Sequence, residues 1–398
     1  MEASMKLALM NSDMVAAFEY VKNKLFSEKT YLIYDHVIQE REDQLPTIRE
    51  ILMGFPDPCG YSTGMEDGMI NGGTMLDACL IKYECEKDAD AAELAKKIAK
   101  GMLNCAFSAK SEGFLPRAVS LEDGKTHYPD SSRDQYTMFA FGLHRYLTSS
   151  LCTSDEKEQI IRATVAIARR AEQNVTWENN YDMLTDNGSP TLVTTMWGDT
   201  LANHEYMRLP MLYLLAYESS GDTHWLEKYR EIREEAYQKS LPMHKYWALY
   251  TLQQMQASIR VCYDIEPDEE WRARYLFLMN EVADYAEGLV SRVRERMDAY
   301  QNYNAAQPSF REIEPKPSER FIKLGYKGAV STSRPDASEF FALQDCAQIS
   351  IITKLVPNRY TCNSALELLF DAFCKIDLSR HERNLPLFFI DAYYRSTL

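Results

Sequence analysis

Apolar residues recur every three to four positions through nearly the whole chain, and this spacing limits most what the chain can fold into. Residues three and four apart lie on one face of an α-helix, whereas half-buried strands need alternation at every second residue. Alternation of that kind is hard to find in this sequence. The pattern therefore predicts an all-α protein.

The predicted helices are of two kinds, which alternate along the chain. One kind is strongly charged and has a single apolar stripe, as expected of a helix with one face in water. The other kind is rich in aromatic residues, Gly, Ala and Met, and its bulky side chains on every face indicate burial on all sides. The charged helices are predicted over residues 13–26, 88–108, 154–175, 223–239, 267–299 and 360–375, and the apolar helices over 66–85, 132–149, 199–220, 245–264, 338–354 and 384–396.

This alternation predicts six helical hairpins closed into an (α/α)6 toroid, with the apolar helices as an inner ring and the charged helices as an outer ring. An open superhelix of the tetratricopeptide kind would need a steady period of about 34 residues, which the spacing does not have. We therefore predict a single toroid domain over residues 1–398. The longer loops, which mostly lead into inner helices, would gather at one mouth of the ring, where sites on rigid scaffolds usually lie. These loops are 27–65, 109–131, 176–198 and 300–337.

The charge and the cysteines exclude several classes of partner. The 59 acidic residues outnumber the 44 basic ones and give a net charge of −15, which would repel nucleic-acid phosphates. No apolar run is long enough to span a membrane, and the N-terminus has no visible export signal. The nine scattered cysteines favour reduced thiols over a disulfide framework. We expect a cytoplasmic protein, or a periplasmic one if an export signal has been removed; the sequence does not indicate an oligomeric state.

The motif search narrows the chemistry. The sequence has no Walker loop, no GxGxxG turn after a strand, no HExxH and no GxSxG. The segment LTDNG, at 184–188, lacks the spacing of an EF-hand, and no cysteine pair has zinc-site spacing. We therefore predict no cofactor and no metal.

Three segments resemble the six-hairpin glycosidase superfamily, particularly its unsaturated glucuronyl and rhamnogalacturonyl hydrolases. They are YSTGMEDGMINGGTMLDACLIKYE (61–84), RDQYTMFAFGLHRYL (133–147) and LPMLYLLAYESSGDTHWLEKY (209–229). The resemblance implies a toroid and a carbohydrate-degrading activity. Ser132 stands where the family usually has a Trp and the nearby His is displaced to His127, which leaves the uronyl specificity open.

The resemblance implies that Asp67 and Asp134 are the paired catalytic carboxylates, with Asp134 as the general acid and base. A glycosidase needs two carboxyl groups across a sugar-sized gap. Glu66 is a rival to Asp67 that the sequence cannot separate from it. An Asp at the start of a helix can equally be a helix cap or a partner of the helix dipole.

Other residues are candidates for substrate binding. His127 and Tyr136 lie close to Asp134 in the sequence, and Arg117 and Arg334 are loop arginines suited to a substrate carboxylate, unless they pair with nearby acids. Aromatic rings flanked by short polar groups suit a sugar ring, although they can also plug the seam between a loop and the ring of helices. The aromatic candidates and their polar neighbour are Trp177, Tyr181, Trp197 and His204.

The sequence as a whole predicts a glycoside hydrolase-like enzyme that acts on oligosaccharides, with a uronic acid as one possible component, by carboxylate acid/base catalysis. One alternative is a polysaccharide lyase or sugar epimerase on the same toroid, with His127, His204 or Tyr136 at the centre of the cleft. Another is a noncatalytic carbohydrate-binding or scaffold protein, which would have no enclosed cleft.

Overall fold

The structure is a computed structural model, and helices dominate it, as the sequence predicts. It describes residues 3–38, 41, 44–191, 193–241, 248–301, 303, 308–314, 316–323, 330–331 and 337–397. Within these residues, the extended structure is limited to isolated bridges and one antiparallel pair of two-residue strands, Lys316–Pro317 with Val330–Ser331. The all-α prediction is confirmed.

The helices follow one another with mostly short connections until residue 300. α1 continues into a π-helical turn at Val21–Leu25, and short 3-10 turns lie at Trp177–Asn179 and Asn203–Glu205. The helices are α1 Ala3–Tyr20, α2 Ile48–Leu52, α3 Gly68–Glu86, α4 Ala89–Ser108, α5 Arg133–Leu147, α6 Ser154–Asn174, α7 Arg208–Ser220, α8 Thr223–Ser240, α9 Leu249–Ile265, α10 Glu269–Gly288, α11 Val290–Asp298, α12 Glu319–Lys323, α13 Ala337–Lys354, α14 Asn363–Phe373 and α15 Leu385–Thr397.

The three main differences from the predicted bounds concern α1, α7 and the segment 267–299. α1 begins at Ala3, ten residues before the predicted start. α7 begins at Arg208 and not at 199, because Pro210 has a fixed φ and no amide hydrogen and is tolerated only in the first turn of a helix. The helix predicted over 267–299 is split in two at Leu289, directly after Gly288, which is a poor helix former.

The two kinds of helix differ in burial as their compositions predict. α3, α5, α7 and α13 are buried on nearly every face. α6 buries a single stripe that includes Ile160, Ala163, Ile167 and Ala171, and its other faces are more open to solvent. Each fully buried isoleucine in such a stripe contributes about 1.5–3 kcal/mol.

The buried helices contact one another in a closed order: α3 packs against α5, α5 against α7, α7 against α9, α9 against α13, α13 against α15, and α15 against α3. Gly73 allows the closest of these approaches, because a Cβ atom there would lie 2.2 Å from the Met138 carbonyl oxygen of α5. The amphipathic helices pack on the buried ones, with α4 on α3, α6 and α8 on α7, α10 on α9 and α13, α14 on α13, and α1 on α15.

A buried histidine joins three of these helices near their C-terminal ends. His144 of α5 bonds Glu218 of α7 at 2.7 Å and Asp264 of α9 at 3.3 Å. Burial alone would lower the pKa of His144, but these two bonds raise it to about 9. The imidazole is therefore cationic at neutral pH and acts as a clamp between helices.

None of the helices described combines the length and the apolar character that are needed to cross a bilayer.

Candidate active site

A cavity of about 490 Å³ opens where the N-terminal ends of the six buried helices meet. Much of its lining comes from residues before or within the first turns of α3, α5, α7, α9, α13 and α15, and residues further along α9 and α13 extend it. Tyr61, Arg117 and Val193 come from loops. Unpaired backbone amides make the N-terminal end of a helix partly positive. Six such ends around one space favour the carboxylates of the cavity wall and the oxygen atoms of ligand hydroxyl groups.

Asp134 lies on this wall because of how α5 begins. Ser132 caps the helix, with its hydroxyl accepting a hydrogen bond from the Gln135 amide, so that Asp134 falls in the first turn. Its carboxylate forms an ion pair with Arg208, which is buried at the start of α7, and its side chain remains 29% exposed. Burial would raise the pKa of Asp134, but the charges of Arg208 and Arg133 outweigh it and lower the pKa. Asp134 is therefore ionised at neutral pH.

Asp67 also lies on the cavity wall, at the start of α3. It occupies the capping position of that helix, yet its carboxylate makes no capping hydrogen bond to α3. Instead it accepts a hydrogen bond from the Gln135 side chain at 3.2 Å and lies 4.0 Å from Arg117. The side chain is 40% exposed, and the carboxylate is therefore accessible to a ligand.

Glu66 also lines the cavity, but it is less accessible. Its side chain is buried and accepts a hydrogen bond from the Gly64 amide at 3.1 Å. Its main-chain carbonyl accepts hydrogen bonds from Arg117 and Gln135 at 2.9 and 3.0 Å. Gly68 follows closely, and a Cβ there would lie 2.5 Å from the Arg117 carbonyl oxygen. These contacts make Glu66 part of the frame that fixes Asp67.

Arg117 holds the loops beneath the cavity. Its guanidinium donates to the main-chain carbonyl of Ser131 at 3.0 Å and to the Tyr61 hydroxyl at 3.2 Å, besides the Glu66 carbonyl. Two buried acids, Asp57 and Asp130, interact with the charge of Arg117. Burial raises the pKa of each to about 7, although the charge of Arg117 acts to lower it. Most of the donors of Arg117 are thus engaged by the protein and not directed at a substrate.

His204 and Glu205 belong to a short 3-10 turn and line the cavity. Glu205 forms an ion pair with Arg133, which also donates to the Thr195 carbonyl at 3.0 Å. Burial lowers the pKa of His204 to about 4, so that the imidazole is neutral at physiological pH. A neutral imidazole can accept a proton, which makes His204 the histidine of this cavity that is suited to act as a base.

The opposite side of the cavity is formed by aromatic rings and amides. Tyr250 of α9 and Phe341 of α13 are both partly exposed, and their ring centroids lie 6.4 Å apart. Four glutamines line the same side: Gln253, Gln254, Gln344 and Gln348. Sequence reasoning missed all four.

Five of the candidates named from the sequence line the cavity: Asp134, Asp67, Glu66, Arg117 and His204. Arg334 lies outside the described residues.

The remaining candidates lie outside the cavity lining. His127 stacks on Phe114 and lies 3.7 Å from Asp186, and Tyr136 is buried with its hydroxyl accepting from the Leu115 amide at 3.2 Å. Trp177 is 71% exposed on the surface. Trp197 packs edge-on against Tyr206, and the Tyr181 ring packs against Gly198. These contacts support the alternative in which the aromatic residues of the loop seal a seam.

Among the described residues, no group of three or more His, Cys, Asp or Glu side chains is placed to hold a metal ion. No protein-family model matches the chain, and no curated protein matches it significantly.

Proposed function

We propose that the protein is a glycoside hydrolase-like enzyme that acts on oligosaccharides within an (α/α)6 toroid. The observation that carries the proposal is one cavity lined by two accessible carboxylates on one side and by aromatic rings and amides on the other. Glycoside hydrolysis commonly uses a pair of carboxyl groups. Aromatic rings stack on the C–H face of a sugar, and amides form hydrogen bonds with its hydroxyl groups.

The toroid is supported by the order of helix contacts. The buried helices contact one another in a sequence that returns from α15 to α3, and each of them except α5 has an amphipathic helix packed closely on it. Their N-terminal ends line one cavity, as expected if the buried helices run parallel around a common axis.

The two carboxylates take different roles in the proposed reaction. Asp134 remains ionised beside Arg208 and is suited to attack the anomeric carbon or to activate water. Of the two acids that precede α3, Glu66 and Asp67, Asp67 is the more accessible. Asp67 would donate the proton to the leaving oxygen, or to the vinyl carbon of an unsaturated uronide. In this proposal Asp134 is the nucleophile or base and Asp67 is the acid, whereas the sequence predicts both the acid and the base role for Asp134.

The charge of the cavity bears on the substrate. The described lining has four arginines, Arg117, Arg133, Arg208 and Arg383, and four acids, Glu66, Asp67, Asp134 and Glu205. With His204 neutral and Asp67 protonated as the proposed acid, the lining carries one net positive charge, which does not by itself require a uronate. We therefore extend the proposed substrates to neutral oligosaccharides as well as uronic-acid-containing ones.

The experiment is product analysis by mass spectrometry on neutral, saturated uronic-acid and Δ4,5-unsaturated oligosaccharides. Wild type, Asp134→Asn and a matched control are compared, the control being Asp13→Asn on the exposed face of α1. We expect wild type and control to cleave the same substrate and Asp134→Asn to lose about 10²–10⁴-fold in kcat/KM. Cleavage by Asp134→Asn at the wild-type rate, or no cleavage by wild type, would contradict the proposal.

A second candidate is a sugar epimerase or lyase that uses His204 as the base. Its support is the position of His204 on the cavity wall, where its neutral imidazole can take a proton from a carbon next to a carbonyl or carboxylate. Exchange of a substrate C–H for deuterium in D₂O that is lost in His204→Ala, while Asp134→Asn retains it, would favour this candidate. The noncatalytic alternative is less well supported, because it predicts no enclosed cleft.

A further inference from the structure

The cavity has a side, built by α9 and α13, that the catalytic proposal does not use. Gln253 and Gln254 are consecutive on α9, and Gln344 and Gln348 are one turn apart on α13. The two helices pack against each other, and all four side chains line the cavity. We call these four residues the amide face.

The amide face has unused hydrogen-bonding capacity. Its four side chains are buried, and their amide oxygens have no hydrogen-bond partner among the residues that the structure describes. The Gln256 amide oxygen on the same helix also has no described partner, but Gln256 lies outside the cavity lining, and its nitrogen donates to the Met279 and Ile352 carbonyls at 3.0 Å each and ties α9 to its neighbours. The four oxygens of the amide face lie together on one cavity wall, where a ligand can supply the hydrogen bonds that buried polar atoms need.

Either end of each amide can serve such a ligand. Rotation about the terminal torsion of glutamine exchanges the oxygen and the nitrogen, so that the group presents an acceptor or two donors to the cavity. A sugar hydroxyl both donates and accepts, and it can therefore pair with the amide in either orientation.

The surroundings of the amide face select an uncharged ligand. No described lining residue on α9 or α13 carries a charge at neutral pH. A charged ligand group would lose its hydration there, and neither helix offers it an ion partner; the cation beside them is Arg383 from the segment before α15, which stacks on Phe340 at 3.8 Å. Tyr250 and Phe341 flank the amides and can stack on the C–H face of a ring. A ring that bears hydroxyl groups and no charge satisfies both features.

We propose that the amide face is the specificity-determining subsite for a neutral sugar unit of the substrate. This inference rests on the proposed action on carbohydrates, but not on the type of reaction. The neutral unit lies against α9 and α13, while the bond to be cleaved faces Asp134 and Asp67 on the other side of the cavity.

The test replaces one amide on each helix with methionine, which matches glutamine in length and in helix-forming tendency. The variant is Gln254→Met/Gln344→Met, and the matched control is Gln159→Met on the exposed face of α6. Binding is measured by isothermal titration calorimetry with neutral trisaccharides of gluco, galacto, manno and xylo configuration. Oligosaccharides composed only of uronic acids serve as the charged comparison.

We expect at least one neutral trisaccharide to bind wild type and control with equal affinity and to bind the double variant at least about tenfold more weakly. We also expect the melting temperature of the double variant to equal or exceed that of wild type, because the variant no longer buries those two amides. A retained melting temperature shows that weaker binding does not come from misfolding. Equal affinity of wild type and double variant, or no binding of any neutral trisaccharide, overturns the inference.

The outcomes separate this inference from the proposed hydrolase. Amide-dependent binding without cleavage of any oligosaccharide retains the subsite and overturns the hydrolase. Cleavage of an oligosaccharide with an unchanged KM in the double variant retains the hydrolase and overturns the subsite.

Discussion

Replacing Arg208 with methionine removes the main counter-charge of Asp134 while keeping a long side chain at the start of α7. Removing one partner of a buried ion pair costs about 3–5 kcal/mol. Asp134 keeps Arg133 nearby and its side chain is 29% exposed, so we expect the cost to be smaller, about 2 kcal/mol at pH 7. A cost of that size corresponds to a rise of about 1.5 units in the pKa of Asp134.

The sign of the pH dependence follows from the direction of each shift. In wild type the folded-state pKa of Asp134 lies below the unfolded value of about 3.9, so its contribution to stability is present above that value and lost as pH falls through the folded pKa. In Arg208→Met the folded pKa lies about 1.5 units above the wild-type one. The variant therefore loses stability relative to wild type as pH rises through the interval between these two folded pKa values, which ends below about pH 5.5.

The assay is urea unfolding of both proteins from pH 3 to pH 7, with Arg208→Met/Asp134→Asn as the coupled double variant. Arg169→Met, whose side chain is about half exposed on α6, serves as the matched arginine control and should change stability little. The double variant should show no pH-dependent difference from Asp134→Asn. A difference between Arg208→Met and wild type that does not vary from pH 3 to pH 7, or that persists in the double variant, would refute the reasoning.

Three further predictions concern the frame of the site. The folded pKa of His144 is about 9, so the ion pairs of its imidazolium with Glu218 and Asp264 stabilise the protein fully below pH 6.5. This stabilisation is lost as pH rises through 9, and urea unfolding should show the loss in wild type and not in His144→Gln. Gly73→Ala should cost at least about 2 kcal/mol, because its Cβ would meet the Met138 carbonyl, whereas Gly288→Ala, where no described atom lies within 4 Å of a Cβ, should be neutral or stabilising in thermal unfolding. Because burial raises the pKa of Asp130 to about 7, ionisation opposes folding there, and Asp130→Asn should be more stable than wild type at pH 8 by about 2–4 kcal/mol but not at pH 4.

Much of the helical fold could be predicted from the sequence because the buried face of a helix determines the spacing of its apolar residues. The prediction of 154–175 matches α6 within one residue, since Thr153 caps its start and a single apolar stripe runs its length. The prediction of 199–220 was too long at its start because Pro210 was not weighed as a marker of the first helical turn.

The site was only partly predictable. Asp67 and Asp134 lie at the starts of predicted inner helices, and this position alone predicts that they lie at the mouth of the ring, where the cavity is. Trp177 and Tyr136 were selected for their composition and their nearness in the sequence, which say nothing of the direction in which a side chain points.

The amide face was missed for a physical reason. A glutamine within an apolar helix has the same sequence signature whether it faces a cavity or bonds a backbone carbonyl. Gln254 and Gln256 illustrate this, because they lie two residues apart on α9 and have these two different environments.

Incorporation of ¹⁸O from labelled water into the reaction products tests most directly whether the cavity hydrolyses carbohydrate through Asp134. Hydrolysis places one ¹⁸O in the products, whereas a lyase cleaves the bond without taking up water. We predict that wild type and Asp13→Asn release products that carry one ¹⁸O, and that Asp134→Asn, folded and with an intact cavity, releases them about 10²–10⁴-fold more slowly. Cleavage without ¹⁸O, or ¹⁸O incorporation by Asp134→Asn at the wild-type rate, would contradict the account.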